Sequence, residues 1–493
     1  MGDRGVPAQE PFVFARLPFD LHMEIFKWVP PLDIVNLRLT CKYFEQLSRD
    51  RVVWLSLLRR QCFEEDVPLQ QYELENMSSP ELEVTCLRPH VFERMLTRKG
   101  SLTFTEQILS FACPTDHEFI NEWGKLELDM VWQYQVVPGD RYIVTLYLSG
   151  WLRVWDTSAY DSDTEQYEII ASRKFSPCNS TMIVQRSVES PSIITIVVRN
   201  GQGLTGDLQD DNLLRRMDVL QLHITNRPWL TDIIASTITP FSARSSLWAC
   251  DGHHIGVSGP SGNAIIWNYM NDTWVSASIA GSDDLLPTEQ CFLDIVGDIV
   301  IYVVPDGGLR LYQFKLTKMY ASLEEAERYQ KSFDMKTFDL GKVRVARTST
   351  MAYWRPRALA NDDAVYGASA IDIVLGSEGG NDQIVVPFHF SPSDPAFYPT
   401  LPIFNQSQRY LVYSAFTSLG IEVVDLANNT PQVARSVPLV EYNPKIDRFV
   451  SHRPYGVELS SFSASMFMRS PDSRTEIKVW RFHLDNEVRT TGH

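Results

Sequence analysis

One short unit recurs down most of the chain, and it limits the possible folds more than any other feature: a turn glycine, apolar residues two apart, then a bulky or acidic residue. Gly150 precedes Leu152-Arg153-Val154-Trp155-Asp156, Gly262 precedes Ala264-Ile265-Ile266-Trp267-Asn268, and Gly308 precedes Leu309-Arg310-Leu311-Tyr312. Gly420 precedes Ile421-Glu422-Val423-Val424-Asp425, and Ile477-Lys478-Val479-Trp480 ends the series. Such a pattern suits a strand buried between two neighbouring sheets. Val154 and Ile266 lie 112 positions apart, as do Leu311 and Val423, whereas Ile266 and Leu311 lie 45 apart. A four-stranded unit takes roughly 40 to 45 residues, so each long gap hides one weaker unit. Met217 to Leu222 and Ile384 to Phe388 are the candidates for the missing signature strands. The count is then about seven units, with about six or eight as alternatives.

These residues resemble the WD-repeat β-propeller family, and the best copy is Val137 to Asp156. There Pro138-Gly139-Asp140 turns between the first two strands of a blade, Tyr142 to Thr145 form the second, and Leu152 to Trp155 the third. The other copies are degenerate, so the domain is WD-like. The resemblance implies a closed ring in which Leu102 to Phe104 form a strand beside the last blade and remove its exposed edge.

The N-terminal stretch from Leu17 to Leu58 has a different texture. Proline at position 18 suits a first helical turn, and Leu21 and Ile25 follow at helical spacing. Pro30-Pro31 ends that helix. Asp33 is placed to cap a second helix with Ile34, Leu37 and Cys41 along one stripe, and Asp50 to cap a third carrying Trp54, Leu57 and Leu58. Three short helices of this kind have more apolar surface than they can bury alone, so a partner is expected to cover some of it.

Leu17-Pro18, Leu21, Glu24-Ile25-Phe26, Leu32-Asp33, Leu37, Leu39, Cys41-Lys42 and Trp54 together resemble the F-box family, with Thr40 a departure where that family has Val. The resemblance implies docking on the Skp-type adaptor of a cullin-based ubiquitin ligase, through Leu17, Pro18, Leu21, Ile25, Phe26, Leu32, Ile34, Leu37, Cys41 and Trp54. The expected organisation is an F-box over 14–62, a helical linker over 63–100 and a WD-like propeller over 101–490. The fold class is mainly β, with a three-helix F-box at its head. In the linker, Ser79-Pro80 begins a helix with acids in its first turns and Arg94 and Arg98 towards its end, packed onto the ring and orienting it.

Composition excludes several functions. The net charge is −16, and residues 1 to 60 carry +2, so the remainder carries −18. An acidic body of that size repels phosphate backbones, against nucleic-acid binding. No apolar run is long enough to span a bilayer, and no signal-peptide core stands at the N-terminus. Seven cysteines without a CxxC pair indicate reduced thiols and no zinc frame. The expectation is a soluble protein of cytoplasm or nucleus, bound to no membrane.

Motifs for chemistry are sparse. Gly201-Gln202-Gly203-Leu204-Thr205-Gly206 fits GxGxxG, but Asp207, Asp210 and Asp211 follow it in place of an amphipathic helix and would repel a pyrophosphate. His253-His254 has the wrong spacing for metal ligation from one face. No cofactor or catalytic residue is expected. Two insertions, a capping box at Ser322-Leu323-Glu324-Glu325 and a glycine-rich tip at Ser377 to Asp382, read as surface length changes. Between Leu340 and Asn361 stand Lys342, Arg344, Arg347, Arg355 and Arg357 without an acid, beside Tyr353 and Trp354. Arginine forks and aromatics in that pattern suit an acidic or phosphorylated peptide, while outward strand charges paired with nearby carboxylates are the plainer explanation. The function read from the chain is a non-catalytic substrate receptor. Its rival is an adaptor-bound scaffold that acts without ubiquitin transfer.

Overall fold

The computed structural model describes the chain between Leu17 and His483, apart from several stretches, the longest of which are 202–214, 280–291, 334–349, 357–369, 390–409 and 442–456. From position 331 to 463 the description is almost wholly of the backbone.

Four helices, not three, follow one another at the N-terminus: α1 (Phe19–Phe26), α2 (Pro31–Arg38), α3 (Lys42–Ser48) and α4 (Arg51–Glu64). Pro30-Pro31 ends α1 and also starts α2, because a proline ring presets the first helical turn. Asp33 therefore lies inside that turn and makes no side-chain cap. Cys41 is not on the α2 stripe, since α2 stops at Arg38 and Cys41 is the residue before α3. Asp50 does cap α4, accepting from the Val52 N–H at 2.8 Å.

A short 3-10 turn (Leu69–Gln71) leads to α5 (Ser79–Thr97). Ser78 starts this helix, its N–H donating to the Glu81 carboxylate at 2.6 Å and its hydroxyl at 2.7 Å. Leu82, Cys86, Leu87 and Val91 of α5 share one apolar core with Phe26, Ile34, Val53, Trp54 and Leu57. The expected boundary at residue 62 thus cuts through a single packed helical unit.

The rest is strand. β1 (Phe104–Ser110) is followed by a small antiparallel pair, β2 (Glu118–Ile120) and β3 (Leu126–Leu128). Sheet one is β4 (Val131–Val136), β5 (Tyr142–Tyr147), β6 (Trp151–Asp161) and β7 (Gln166–Lys174). Sheet two is β8 (Thr181–Arg186), β9 (Ile193–Gly201) and β10 (Arg215–His223), with short β11 (Trp229–Leu230) and β12 (Ala235–Thr239) both on β10. Sheet three is β13 (Trp248–Asp251), β14 (His254–Ser258), β15 (Asn263–Asn268) and β16 (Thr273–Ile279). Sheet four is β17 (Phe292–Val296), β18 (Ile299–Pro305) and β19 (Leu309–Lys315). After α6 (Leu323–Arg328), β20 (Lys331–Phe333) returns to pair in parallel with β16.

Sheet five is β21 (Thr350–Pro356), β22 (Ala370–Ser377) and β23 (Gln383–His389), and sheet six is β24 (Tyr410–Ala415), β25 (Ser418–Asp425) and β26 (Gln432–Glu441). The last sheet joins β27 (Val457–Ser460), β28 (Ser465–Arg469) and β29 (Glu476–Phe482) to β1. Among the described residues, seven antiparallel sheets of three to five strands therefore succeed one another in chain order, β20 being a parallel addition. This is the arrangement of a β-propeller.

Closure works as expected with a longer strand. β1 pairs β29 from Phe104↔Phe482 to Ser110↔Glu476, so the two ends of the strand region share one sheet. Position 102 lies outside the described residues. The signature strands fall where the spacing placed them: β6, β15, β19 and β29, with β10 and β23 as the two weaker ones. In sheet six the Gly420 segment is the middle of the three described strands.

Side chains show why the apolar runs are so dense. The seams on either side of sheet two are apolar cores: Val144, Leu146 and Val154 meet Ile194, Ile196 and Leu220, while Val197, Met217 and Val219 meet Ile255, Val257 and Trp267. A strand between two seams buries both faces. The bulky residues of three signature strands, Trp155, Trp267 and Trp480, are buried with indole N–H donors satisfied by Thr145, Asp272 and Glu106 at 2.7, 2.9 and 2.9 Å.

The Ser322 insertion is more than a surface length change. Its N-cap forms, with the Ser322 hydroxyl accepting from the Glu325 N–H at 3.2 Å. Tyr320 and Ala326 then enter the core between sheets two and three, and the insertion covers the edge of β16. The Ser377 to Asp382 tip joins β22 to β23, and its residues after Ser377 lie outside the described ones.

Candidate adaptor-binding face

Helix α1 is apolar on two sides. His22, Met23 and Phe26 point into the helical core, while Leu21 and Ile25, with Trp28 in the turn just after the helix, form an exposed stripe. Leu21 is 48% exposed, Ile25 37% and Trp28 81%. Phe19 and Leu39 are also exposed, the latter just after α2. Five large apolar side chains exposed within about 20 positions of one small helical unit mark an interaction surface.

The ten residues expected to contact the adaptor divide by burial. Leu21 and Ile25 stand on the exposed stripe, Pro18 and Cys41 are exposed, and Leu17 is half-buried. Leu32 and Leu37 are half-buried against the core. Phe26, Ile34 and Trp54 are buried, at 1%, 0% and 0% exposure, and pack in the helical core. Burial follows from their positions, each on the side of its helix that faces the other helices. Trp28 and Phe19, outside the expected set, are also exposed on this unit. The signal for Trp28 was the continuation of the Leu21/Ile25 spacing by one more turn.

An arginine supports this face from behind. Arg38, at the end of α2, forms a forked pair with Glu83 of α5, both bonds at 2.6 Å, and donates to the Ser48 hydroxyl and carbonyl at 2.8 and 3.0 Å. Its guanidinium lies 5.5 Å from the Trp54 ring centre. One side chain therefore ties α2, α3, α4 and α5 together, with the bidentate geometry that arginine alone supplies. Burial pushes the Cys86 thiol well above its ordinary value, so the thiol stays protonated and donates to the Trp54 carbonyl at 3.4 Å.

Residues 14–56 match the family model of the F-box domain. This segment is an F-box domain. F-box domains generally bind Skp-type adaptors. No curated protein matches the chain significantly. Among solved structures, the WD40 repeats of RRP9 are 10% identical with a TM-score of 0.37, covering 76% of this chain and 100% of that one. The mitotic checkpoint complex gives 10% identity and a TM-score of 0.36, covering 78% and 98%. U3-55K gives 9% and 0.37, covering 72% and 97%. Likenesses this low add nothing to the strand order described above. An F-box ahead of a ring of sheets is the organisation of a protein-interaction adaptor.

The GxGxxG run begins at the end of β9, and β9 and β10 are antiparallel neighbours, so the segment joins a hairpin instead of a strand to a helix. His253 lies 3.4 Å from the Tyr269 hydroxyl and His254 3.2 Å from the Asn268 amide, each ring in its own environment. Among the described residues there is no cluster of metal-ligating side chains, and no helix long and apolar enough to cross a membrane. Of the basic segment, Tyr353, Trp354 and Arg355 stand on β21, with Arg355 in register with Asp372 of β22. Lys342, Arg344, Arg347 and Arg357 lie outside the described residues.

Proposed function

We propose that the chain is the substrate receptor of a Skp/cullin/F-box ubiquitin ligase and is not itself an enzyme. The observation that carries this is the exposed Leu21–Ile25–Trp28 stripe inside a matched F-box. A Skp-type adaptor covers that stripe, and through the adaptor the chain reaches a cullin. The ring takes the target protein.

Strand geometry supports a division of labour between the two ends of the ring. The helical unit meets the turn between β4 and β5 at Pro138 and Arg141. The loops joining second to third strands, such as Leu148 to Gly150, lie at the other ends of the same strands, away from the helical unit. Arg344, Arg347, Tyr353, Trp354, Arg355 and Arg357 are proposed to contact an acidic or phosphorylated segment of it.

The test is capture from cells. A Leu21→Ala, Ile25→Ala double variant is expected to lose the adaptor while keeping other ring partners, since each side chain buried on binding contributes roughly 1.5 to 3 kcal/mol. Undiminished adaptor capture removes the docking model. Adaptor capture without cullin or ubiquitin conjugates favours a scaffold acting without ubiquitin transfer. Charge reversal of Arg355 and Arg357 is expected to reduce target capture alone.

A further inference from the structure

Among the described residues, the helical unit makes side-chain contacts with the two sheets that meet where the ring closes. The first contact is with sheet one. Gln71 donates its side-chain amide to the Pro138 carbonyl, and its carbonyl groups accept from Arg141: the side-chain oxygen from the Arg141 N–H at 3.3 Å, the backbone oxygen from Nη1 at 2.9 Å. Asp156, the acid after Trp155 in the signature strand of sheet one, holds the same guanidinium at 3.1 Å from Nε and 3.0 Å from Nη2.

Between Pro138 and Arg141 the backbone must come very close. Gly139 has φ +98°, and a Cβ there would stand 2.8 Å from Val67 Cγ1 and 2.9 Å from the Gln71 side chain. Only glycine fits. Val67 is itself a member of the helical core, so the turn is pressed against that core and not against a loose loop.

The second contact is with the last sheet. Phe92 of α5 is buried against Phe482, ring centres 5.0 Å apart, and Phe482 also meets Phe104 at 6.0 Å across the closing pair of strands. α5 ends at Thr97 and β1 begins at Phe104, so the helix leads directly into the strand that closes the ring. Across the seam itself, Leu109, Phe111, Ile477 and Val479 pack on Tyr134, Ile143, Tyr147 and Trp155.

We infer that the helical unit is a clip across this seam, with one arm on sheet one through Gln71 and Gly139 and the other on the closing sheet through Phe92. A single contact would let the unit pivot. Two separated contacts leave only rotation about the line joining them, and the several directed bonds of the Gln71–Arg141 arm oppose that rotation. The orientation of the F-box and the integrity of the seam are therefore coupled. This holds whatever the ring binds and whether or not ubiquitin transfer follows.

The experiment is amide hydrogen exchange on the full chain and on Gln71→Ala and Gly139→Ala variants. Gln71→Ala leaves every bond internal to the ring in place. Exchange in the turn at 138–141 and in β1 and β29 is expected to be roughly five- to tenfold faster, as the loss of one or two net hydrogen bonds gives. Exchange in β9 and β10, one seam away, stays unchanged. Faster exchange confined to the turn, or equal acceleration in β9 and β10, overturns the inference. Should Gly139→Ala fail to fold, Gln71→Ala alone decides.

Discussion

Trp28 and Trp54 show what a residue's identity leaves open. Both are tryptophans in the same small helical unit, one 81% exposed and one fully buried. Trp28→Ala is expected to leave the melting temperature unchanged and to weaken adaptor capture by at least about tenfold, as loss of an aromatic anchor does. Trp54→Ala removes a core side chain whose indole N–H donates to the Ser48 carbonyl at 2.7 Å. It is expected to cost about 3 to 5 kcal/mol, read from chemical denaturation of the helical unit. The cysteines divide in the same way. Cys41 is exposed, while Cys62 and Cys86 are buried and the Cys86 thiol is held protonated by that burial. Site-resolved thiol labelling of the native chain should modify Cys41 quickly and reach Cys62 and Cys86 only on unfolding.

Among elements, α5 determines how the F-box is carried. Its partly buried Glu83 pairs with Arg38, so Arg38→Ala and Glu83→Ala are each expected to lose about 2 kcal/mol of helical-unit stability. The double variant should lose little more, because the second change removes a charge already left unpaired. At the start of α5, the Ser78 N–H and hydroxyl hold the Glu81 carboxyl below its ordinary value of 4.5. The unfolded chain then takes up that proton more readily. The contribution is present above the unfolded value and is lost as pH falls through the lower folded one. Glu81→Gln should accordingly flatten the acid side of the stability profile, measured by denaturant melts between neutral and strongly acidic pH.

On the scale of the whole molecule the critical element is the β1–β29 pairing, which joins residues more than 360 positions apart. Deleting Glu476 to His493 removes β29 and leaves β1 and β28 without the partner between them. The truncated chain is expected to melt earlier and to associate through the open edges, seen as a lower transition and a larger species by light scattering. A chain that stays monomeric and melts with the full one would instead place the closing energy in the other seams.

Local and periodic information was enough for much of this. The turn at Pro138-Gly139-Asp140, the signature strands of sheets one, three and four, the 112-residue spacing that located β10 and β23, and the caps at Asp50 and Ser322 are all visible in neighbouring residues. Backbone preference and alternation act over a few positions, so the sequence by itself determined the helical head, the run of small sheets and the strand that ends the ring. What it could not determine was which of two apolar faces turns inward. Phe26 and Ile25 are adjacent and equally apolar, yet the packing of α1 on α4 buries one and exposes the other. Arg38 with Glu83, Gln71 with Arg141, and Tyr320 in the core between sheets two and three likewise depend on groups brought together from distant positions. Only the tertiary structure decided these, because burial and hydrogen-bond partnership belong to the neighbours a folded chain assembles and not to the residue that enters them.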